Sequence, residues 1–411
     1  MVVETIKREI EDREIHLLPG QADILTNFTD PILAVVAGTG AGKAIDIETL
    51  IPTPSGWQKM GDISIGDLVF DSMGKPTRVT DVSPVMINHQ CFQVSFDDGT
   101  SLVADAEHFW RVQTFKGRKY LLRQKFTVVT TEQMRDTLIG SGGRLEYSIP
   151  ITPAVEYKEN DLSIPPYTFG VWLGDGSSRD ALVYSADPEI MESVSEEGVL
   201  VSVGKAIANQ GKALTYRIGE VGSTRNTLGQ YAANGSIRSK LKSIGVYLNK
   251  HIPSRYLTAS IKQRMLLLQG LMDTDGYCAK DGECQFTTVS LKLAADVREL
   301  ISSLGIKATL RQKVARIYGK DCGIVYLVSF TTDKQVFKLQ RKLQRQRKKC
   351  RSVVNNRYII AIEPVPSRPV KCISVESLWQ TYLAGRDYIP THNTMTGYWW
   401  LHSRMAAYPG F

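Results

Sequence analysis

The sequence predicts a multidomain chain: an all-β unit assembled from two separated segments, with an α/β domain of two related repeats set between them. Three observations carry this. Residues 44 to about 155 run in short alternating pieces such as GDLVFD, TRVTDV and CFQVSFDDGT, broken by Gly, Pro and Asp turns, and strands of that kind return after 351 in NRYIIAIEPV and VKCISVE. The composition changes at DLSIPPYTFG, near residue 161, where a Pro pair marks a boundary. Between those limits TFGVWLGDGSS (168–178) and LLQGLMDTDGY (267–277) each read as an apolar helix ending in Asp-Gly, with Asp175 and Asp275 placed 100 positions apart.

Length and composition set the outer bounds. A chain of 411 residues that is 43% apolar can fill two or three cores. Its net charge of +8 is unevenly spread: residues 161–350 hold 28 Lys+Arg against 17 Asp+Glu, an excess of 11, and the remainder carries −3. A basic excess confined to one block points to a nucleic-acid partner, although a solvated charged surface has the same composition. No apolar run approaches the ~18 residues of a membrane span, and MVVETIKREIEDREIH lacks the apolar core of a signal peptide, so no membrane and a cytoplasmic location are expected. The six cysteines (91, 278, 284, 322, 350, 372) have no CxxC spacing and read as reduced thiols.

In the central block each Asp-Gly helix is followed by a strand-like and then a helical piece, ALVYSADPEIMESV in one copy and CQFTTVSLKLAADVREL in the other. Two αββα-type units are expected. Gly170 and Gly174 in the first helix, with Gly270 and Thr274 in the second, would let the helices pack backbone to backbone and bring Asp175 and Asp275 together. Paired carboxylates in a basic setting suit Mg2+ and phosphodiester hydrolysis. The block from about 165 to 345 resembles the two-motif LAGLIDADG homing endonucleases. That resemblance implies double-stranded DNA as partner, Asp175 and Asp275 as metal-binding positions, and Lys250 in NKHIP as the basic position, with Lys307 a looser match. Gly174 and Trp172 depart from the usual first motif.

The stretch AVVAGTGAGKAIDIETLIP (34–52) opens as a phosphate-binding loop and breaks off, because Lys43 is followed by Ala44 where a Ser or Thr hydroxyl should ligate magnesium. The far end supplies it. His392-Asn393-Thr394 closes the second β segment, and joining Lys43 to Thr394 gives AVVAGTGAGKTMTGYWWLHSRM, with the hydroxyl restored. The 350 residues between, 44 to 393, resemble an intein. The implied divisions are a flank at 1–43, a Hint-type (horseshoe-like) splicing domain from 44–160 and 351–393, an endonuclease at 161–350, and a flank at 394–411. The flanks, with HLLPGQADIL ahead of the loop, are similar to the ATPase start of a viral large terminase subunit, in which Gly42, Lys43 and Thr394 would hold ATP phosphates once joined.

The junction residues suggest the chemistry. The Asn393 side-chain amide can attack its own carbonyl to form a succinimide, with His392 beside it to polarise that carbonyl or protonate the leaving amine. Ala44 has no nucleophile, so either the segment is disabled or another group attacks first. Cys372 in VKCISVE, Trp110 in DAEHFWRV and Thr394 resemble the Trp-Cys-Thr signature of class 3 inteins, which favours the second. By that resemblance Cys372 attacks the Lys43 carbonyl, His108 activates the scissile amide, and Trp110 packs beside the nucleophile unless it is simply core. Asp105 stands where the motif usually has Thr, and its carboxylate orients His108, replaces the Thr hydrogen bond, or lies in a surface turn. Splicing needs no cofactor, and a monomer without obligate protein partner is expected. The competing reading is a P-loop ATPase carrying a splicing-inactive DNA-binding insertion.

Overall fold

The computed structural model describes residues 44–119, 126–140, 142–203, 213–220, 236–318, 320–347 and 352–392. Lys43, Gly42, Asn393 and Thr394 lie outside the described residues.

The largest sheet has eight antiparallel strands, in the order Val370–Lys371, Ile45–Asp46, Ser101–Asp105, Cys91–Phe96, Asn356–Val365, Ser148–Pro150, Phe109–Gln113 and Phe126–Thr130. Two strands of the second β segment, Val370–Lys371 and Asn356–Val365, are set among six of the first. The alternation that predicts these strands also fills the core: Phe92, Val94 and Phe96 face inward with Trp110, Val112, Ile149, Ile359 and Tyr382. One buried ion pair ties the segments together. Asp98, in the turn after Cys91–Phe96, accepts from Thr100 and from the Arg357 guanidinium on Asn356–Val365. Burial alone would raise the Asp98 carboxyl, but Arg357 and Thr100 outweigh it and hold it below its ordinary value.

The central block forms one α/β core shared by both repeats, with Phe169, Trp172, Leu268, Phe286 and Phe337 inside. Each unit is longer than the expected αββα. After helix Pro166–Asp175 come Leu182–Ser185, helix Pro188–Glu196, Val199–Val203 and Leu214–Glu220, then helix Ile237–Ser243. After helix Ile261–Thr274 come Gly276–Cys278, Cys284–Thr288, helix Leu291–Ser303, the hairpin Ala308–Ile317 and Lys320–Phe330, and helix Gln340–Leu343. In each unit a hairpin after the middle helix adds strands that a local reading of the first half leaves out. No described helix is long and apolar enough to cross a membrane.

The two Asp-Gly helices meet through their small residues as expected. A Cβ on Gly170 would stand 2.3 Å from the Leu267 carbonyl oxygen, and one on Gly270 would stand 2.2 Å from that of Tyr167. Thr274 fills the space that Gly174 leaves open, its Oγ1 lying 2.1 Å from where a Cβ would be. Backbone carbonyls cannot yield as a side-chain tip can. Gly170→Ala is therefore expected to destabilise the α/β domain by about 1–3 kcal/mol, measured as a fall in the midpoint of its urea unfolding transition.

Candidate functional site

The first site is one rung of the eight-stranded sheet. Ile45 pairs with Lys371 on one side and Ala104 on the other. Extending that antiparallel register by one residue sets Ala44 between Cys372 and Asp105, and Asp105 in turn pairs with Cys91. Adjacent strands are about 4.8 Å apart, and directly opposed residues share a face. Ala44, Cys372, Cys91 and Val370 accordingly pack in one buried cluster. The Cys372 N–H donates to Ser83 Oγ at 3.0 Å while Ser83 N–H donates to the Cys372 carbonyl at 2.9 Å, so the backbone at the thiol is clamped.

Asp105 holds Ala44 from the other side. The Asp105 N–H donates to the Ala44 carbonyl at 3.0 Å, and the Ala44 N–H lies 3.4 Å from Asp105 Oδ2. His89 Nδ1 is 3.3 Å from the same Oδ2. Asp105 is 1% exposed, which removes the surface-turn alternative. Its Oδ1 is buried with no hydrogen-bond partner among the described residues. Burial raises its carboxyl, against the lowering effect of the Ala44 amide and His89.

The turn after Asp105 leads to the other junction. His108 N–H donates to the Asp105 carbonyl at 3.2 Å, while its Nε2 meets Thr391 Oγ1 in a short contact. His392 follows at the end of strand Ile389–His392, its ring 6.2 Å from Phe109. Asp105 is thus a side-chain partner of the Ala44 nitrogen, in keeping with the alternative that its carboxylate replaces the Thr hydrogen bond. Trp110 lies in the core of the β-domain, the alternative the sequence left open for it. Its ring packs edge-on against His108 at 5.1 Å and Phe96 at 6.2 Å, with Nε1 donating to Thr131 Oγ1 at 3.0 Å. Residues 108 and 110 are two apart on extended backbone and share a face, so Trp110 supports the histidine.

The second site lies at the ends of the paired helices. Burial, and then the charge of Asp275, push the Asp175 carboxyl up to about 6. Asp275 is also raised by burial, against Lys250 and Lys342. Lys250 Nζ donates to the carbonyls of Leu173 (2.9 Å), Gly174 (3.0 Å) and Gly176 (2.7 Å), capping the first helix. Lys342 does the same for the second, reaching Met272 (2.9 Å), Asp273 (2.7 Å), Thr274 (3.0 Å) and Gly276 (2.6 Å). Burial pulls both amines down to about 8. Lys307 does not belong here: its Nζ pairs with Asp97 at 2.6 Å and the Asn356 carbonyl at 2.8 Å, bridging to the β-domain.

Among the described residues there is no group of three or more His, Cys, Asp or Glu able to hold a metal. A cation at the second site would therefore rest on the Asp175 and Asp275 carboxylates, whose mutual repulsion it would relieve. Sequence reading missed Lys342, although it follows Asp275 by 67 residues much as Lys250 follows Asp175 by 75. It also missed His89, Ser83 and Thr391, which no motif marks.

With this geometry in place, the chain can be set against known proteins. Residues 262–344 match the LAGLIDADG-like domain. A replicative DNA helicase DnaB of Mycobacterium intracellulare is 35% identical over 388 residues, covering 90% of this chain and 62% of the relative. A second DnaB, from Mycobacterium leprae (strain TN), is 41% identical over 92 residues, covering 22% of this chain and 15% of that protein. This chain thus spans about three fifths of the first relative's length and a smaller part of the second. Among solved structures, the MchDnaB-1 intein (N145AA) is 15% identical, covering 85% of this chain and all of its own, at a TM-score of 0.28. The fold is an all-β domain carrying an α/β domain, and the LAGLIDADG-like match falls within the latter. The terminase resemblance of the flanks finds no counterpart in these relatives, which are named as DnaB.

Because the Asp275 charge helps raise Asp175, the folded state holds a proton that the unfolded chain releases near 3.8, and stability falls as pH rises from there to about 6. Asp275→Asn is expected to lower the Asp175 pKa and flatten that fall. Carboxyl-carbon NMR titration and pH-dependent melting in metal-free buffer measure both.

Proposed function

We propose that this chain is an intein precursor that excises residues 44–393 and joins its flanks, and that its LAGLIDADG-type domain cuts double-stranded DNA. The observation that carries the splicing reading is the rung that sets Cys372 one strand from Ala44. A nucleophile held at that spacing replaces the one that Ala44 lacks. The Cys372 thiolate attacks the Lys43 carbonyl and Ala44 departs as the amine, giving a branched thioester. The Thr394 hydroxyl then takes the acyl group from sulfur. Asn393 closes on its own carbonyl and releases the intein, with His392 assisting, and the ester rearranges because the freed Thr394 amine attacks through a five-membered ring. Trp110 steadies His108, which faces the strand leading to Asn393.

Joining Lys43 to Thr394 restores a phosphate loop in which Gly42, Lys43 and Thr394 would cradle ATP phosphates. Terminase-like flanks and DnaB-named relatives both imply a P-loop ATPase, and the host is proposed at that level. A match covering 90% of the chain falls mostly on the 350-residue insertion.

For the second activity, Asp175 and Asp275 would hold Mg2+, which supplies water activation and charge neutralisation at the phosphodiester. Lys250 and Lys342, with amines near neutrality, sit beside the pair and keep the helix ends fixed. The DNA recognised would be the uninterrupted phosphate-loop coding sequence, where such an element inserts.

Expression of the whole chain is expected to yield an excised intein and a joined 61-residue product. Cys372→Ala abolishes cleavage at Lys43. Paired Asp175→Ala and Asp275→Ala leave splicing intact and abolish cutting of a plasmid bearing the joined sequence. Mass spectrometry and gel assay read the two results, and normal splicing by Cys372→Ala would overturn the class 3 assignment.

A further inference from the structure

We propose that Asp105 is the acid that protonates the Ala44 nitrogen as the Lys43–Ala44 bond breaks, with His89 holding and tuning that acid. This rests on the splicing reading above and assigns one of its protons.

The amide nitrogen must gain a proton to leave, because expulsion of an amide anion is prohibitively costly. The described carboxyl at that nitrogen is Asp105, with Oδ2 3.4 Å away. Its backbone N–H also fixes the Ala44 carbonyl at 3.0 Å, so the strand ladder holds the acid at the residue it acts on. Asp105 Oδ1 is buried without a hydrogen-bond partner among the described residues, an arrangement that disfavours the carboxylate and favours a bound proton. The groups facing it are few. His89 is at 3.3 Å, Glu107 contributes like charge from the same turn, Cys91 is its cross-strand partner, and Cys372 lies beyond Ala44. His89 has a side chain 34% exposed and so links the buried carboxyl to solvent.

The step balances. The Cys372 thiolate adds to the Lys43 carbonyl carbon, the electron pair of the C–N bond returns to nitrogen, and the Asp105 hydroxyl proton moves to that nitrogen. The products are a thioester, a neutral Ala44 amine and an Asp105 carboxylate paired with His89. A threonine, the usual residue at this position, can donate a hydrogen bond but cannot deliver a proton near neutral pH.

Two requirements then oppose each other. Cys372 must be deprotonated and Asp105 protonated, so the rate rises with pH until the raised Asp105 carboxyl begins to ionise, levels off while the two ionisations cancel, and falls once the thiol is fully deprotonated. The His89 charge lowers the Asp105 value, so losing it extends the rising limb to higher pH.

The test uses the full chain in an Asn393→Ala background, where cyclisation is blocked and hydroxylamine intercepts the thioester by releasing residues 1–43. Asp105→Asn is expected to slow release on the order of a hundredfold or more and to remove the falling limb. His89→Gln is expected to retain release and displace the end of the rising limb upward in pH. Near-UV circular dichroism and melting curves check that both variants fold, and an unfolded Asp105→Asn is replaced by Asp105→Thr with the same expectation. Release by Asp105→Asn at the parental rate, or slow release with the falling limb unchanged, would overturn the assignment. A parental chain that never releases residues 1–43 would overturn the splicing reading itself, and this inference with it.

Discussion

The backbone pairing of Ile45 between Lys371 and Ala104 is the constraint on which the rest of the first site depends. Ladder hydrogen bonds, and not side-chain attraction, bring a thiol, Ala44 and a carboxyl into line across three strands. A slip of one residue in the Val370–Lys371 pairing would turn Cys372 to the opposite face, so register is what makes residue 372 available. The Ser83 clamp on the Cys372 backbone guards against that slip from a neighbouring strand's end.

The same sheet explains how a domain can sit inside another. Pro150 pairs with Asn356, so the chain leaves and re-enters the β-domain at adjacent positions of one ladder. An insertion between neighbouring ends adds little closure entropy however long it grows, since that cost rises only with the logarithm of length. The inserted domain is nonetheless docked. Glu299 receives Trp57 Nε1 at 2.9 Å and Arg386 at 2.7 Å, and Arg298 meets Asp387 at 2.7 Å. Residues 386 and 387 belong to the turn that feeds Ile389–His392, so the helix Leu291–Ser303 of the insert holds the approach to the second junction.

What the sequence discloses follows the range of the interaction. The helix pairing was legible because small residues recur at matched places in two repeats, and backbone contact demands them. Cys372 drew notice through its place in a motif, and its position opposite Ala44 comes from the ladder. Asp105 and His89 were not assignable, because their meeting depends on the pairing of Cys91 with Asp105, and the position of a side chain across a ladder is set by turns far from it. For Trp110 two signals are present: a signature ties it to Cys372, and two-residue periodicity ties it to His108, against which it packs. Lys342 was hidden in KLQRKLQRQRKKCR, where one buried lysine is indistinguishable by composition from its solvated neighbours.

Both sites share one electrostatic device. In Asp105, Asp175 and Asp275, burial is the leading cause that lifts a carboxyl above its ordinary value, and none has a buried arginine to neutralise it as Asp98 has. Each lowers the stability of the folded chain at neutral pH, since the unfolded chain ionises more freely. Such a cost is offset when the carboxyl meets what it lacks. At Asp175 and Asp275 that is positive charge, supplied in part by Lys250 and Lys342 at the helix ends. At Asp105, on the proposed assignment, it would be a proton, and giving it up would leave a buried carboxylate beside His89. The two centres therefore stay independent in chemistry while resting on one scaffold, the first governed by proton occupancy within a sheet and the second by charge at the meeting of two helices.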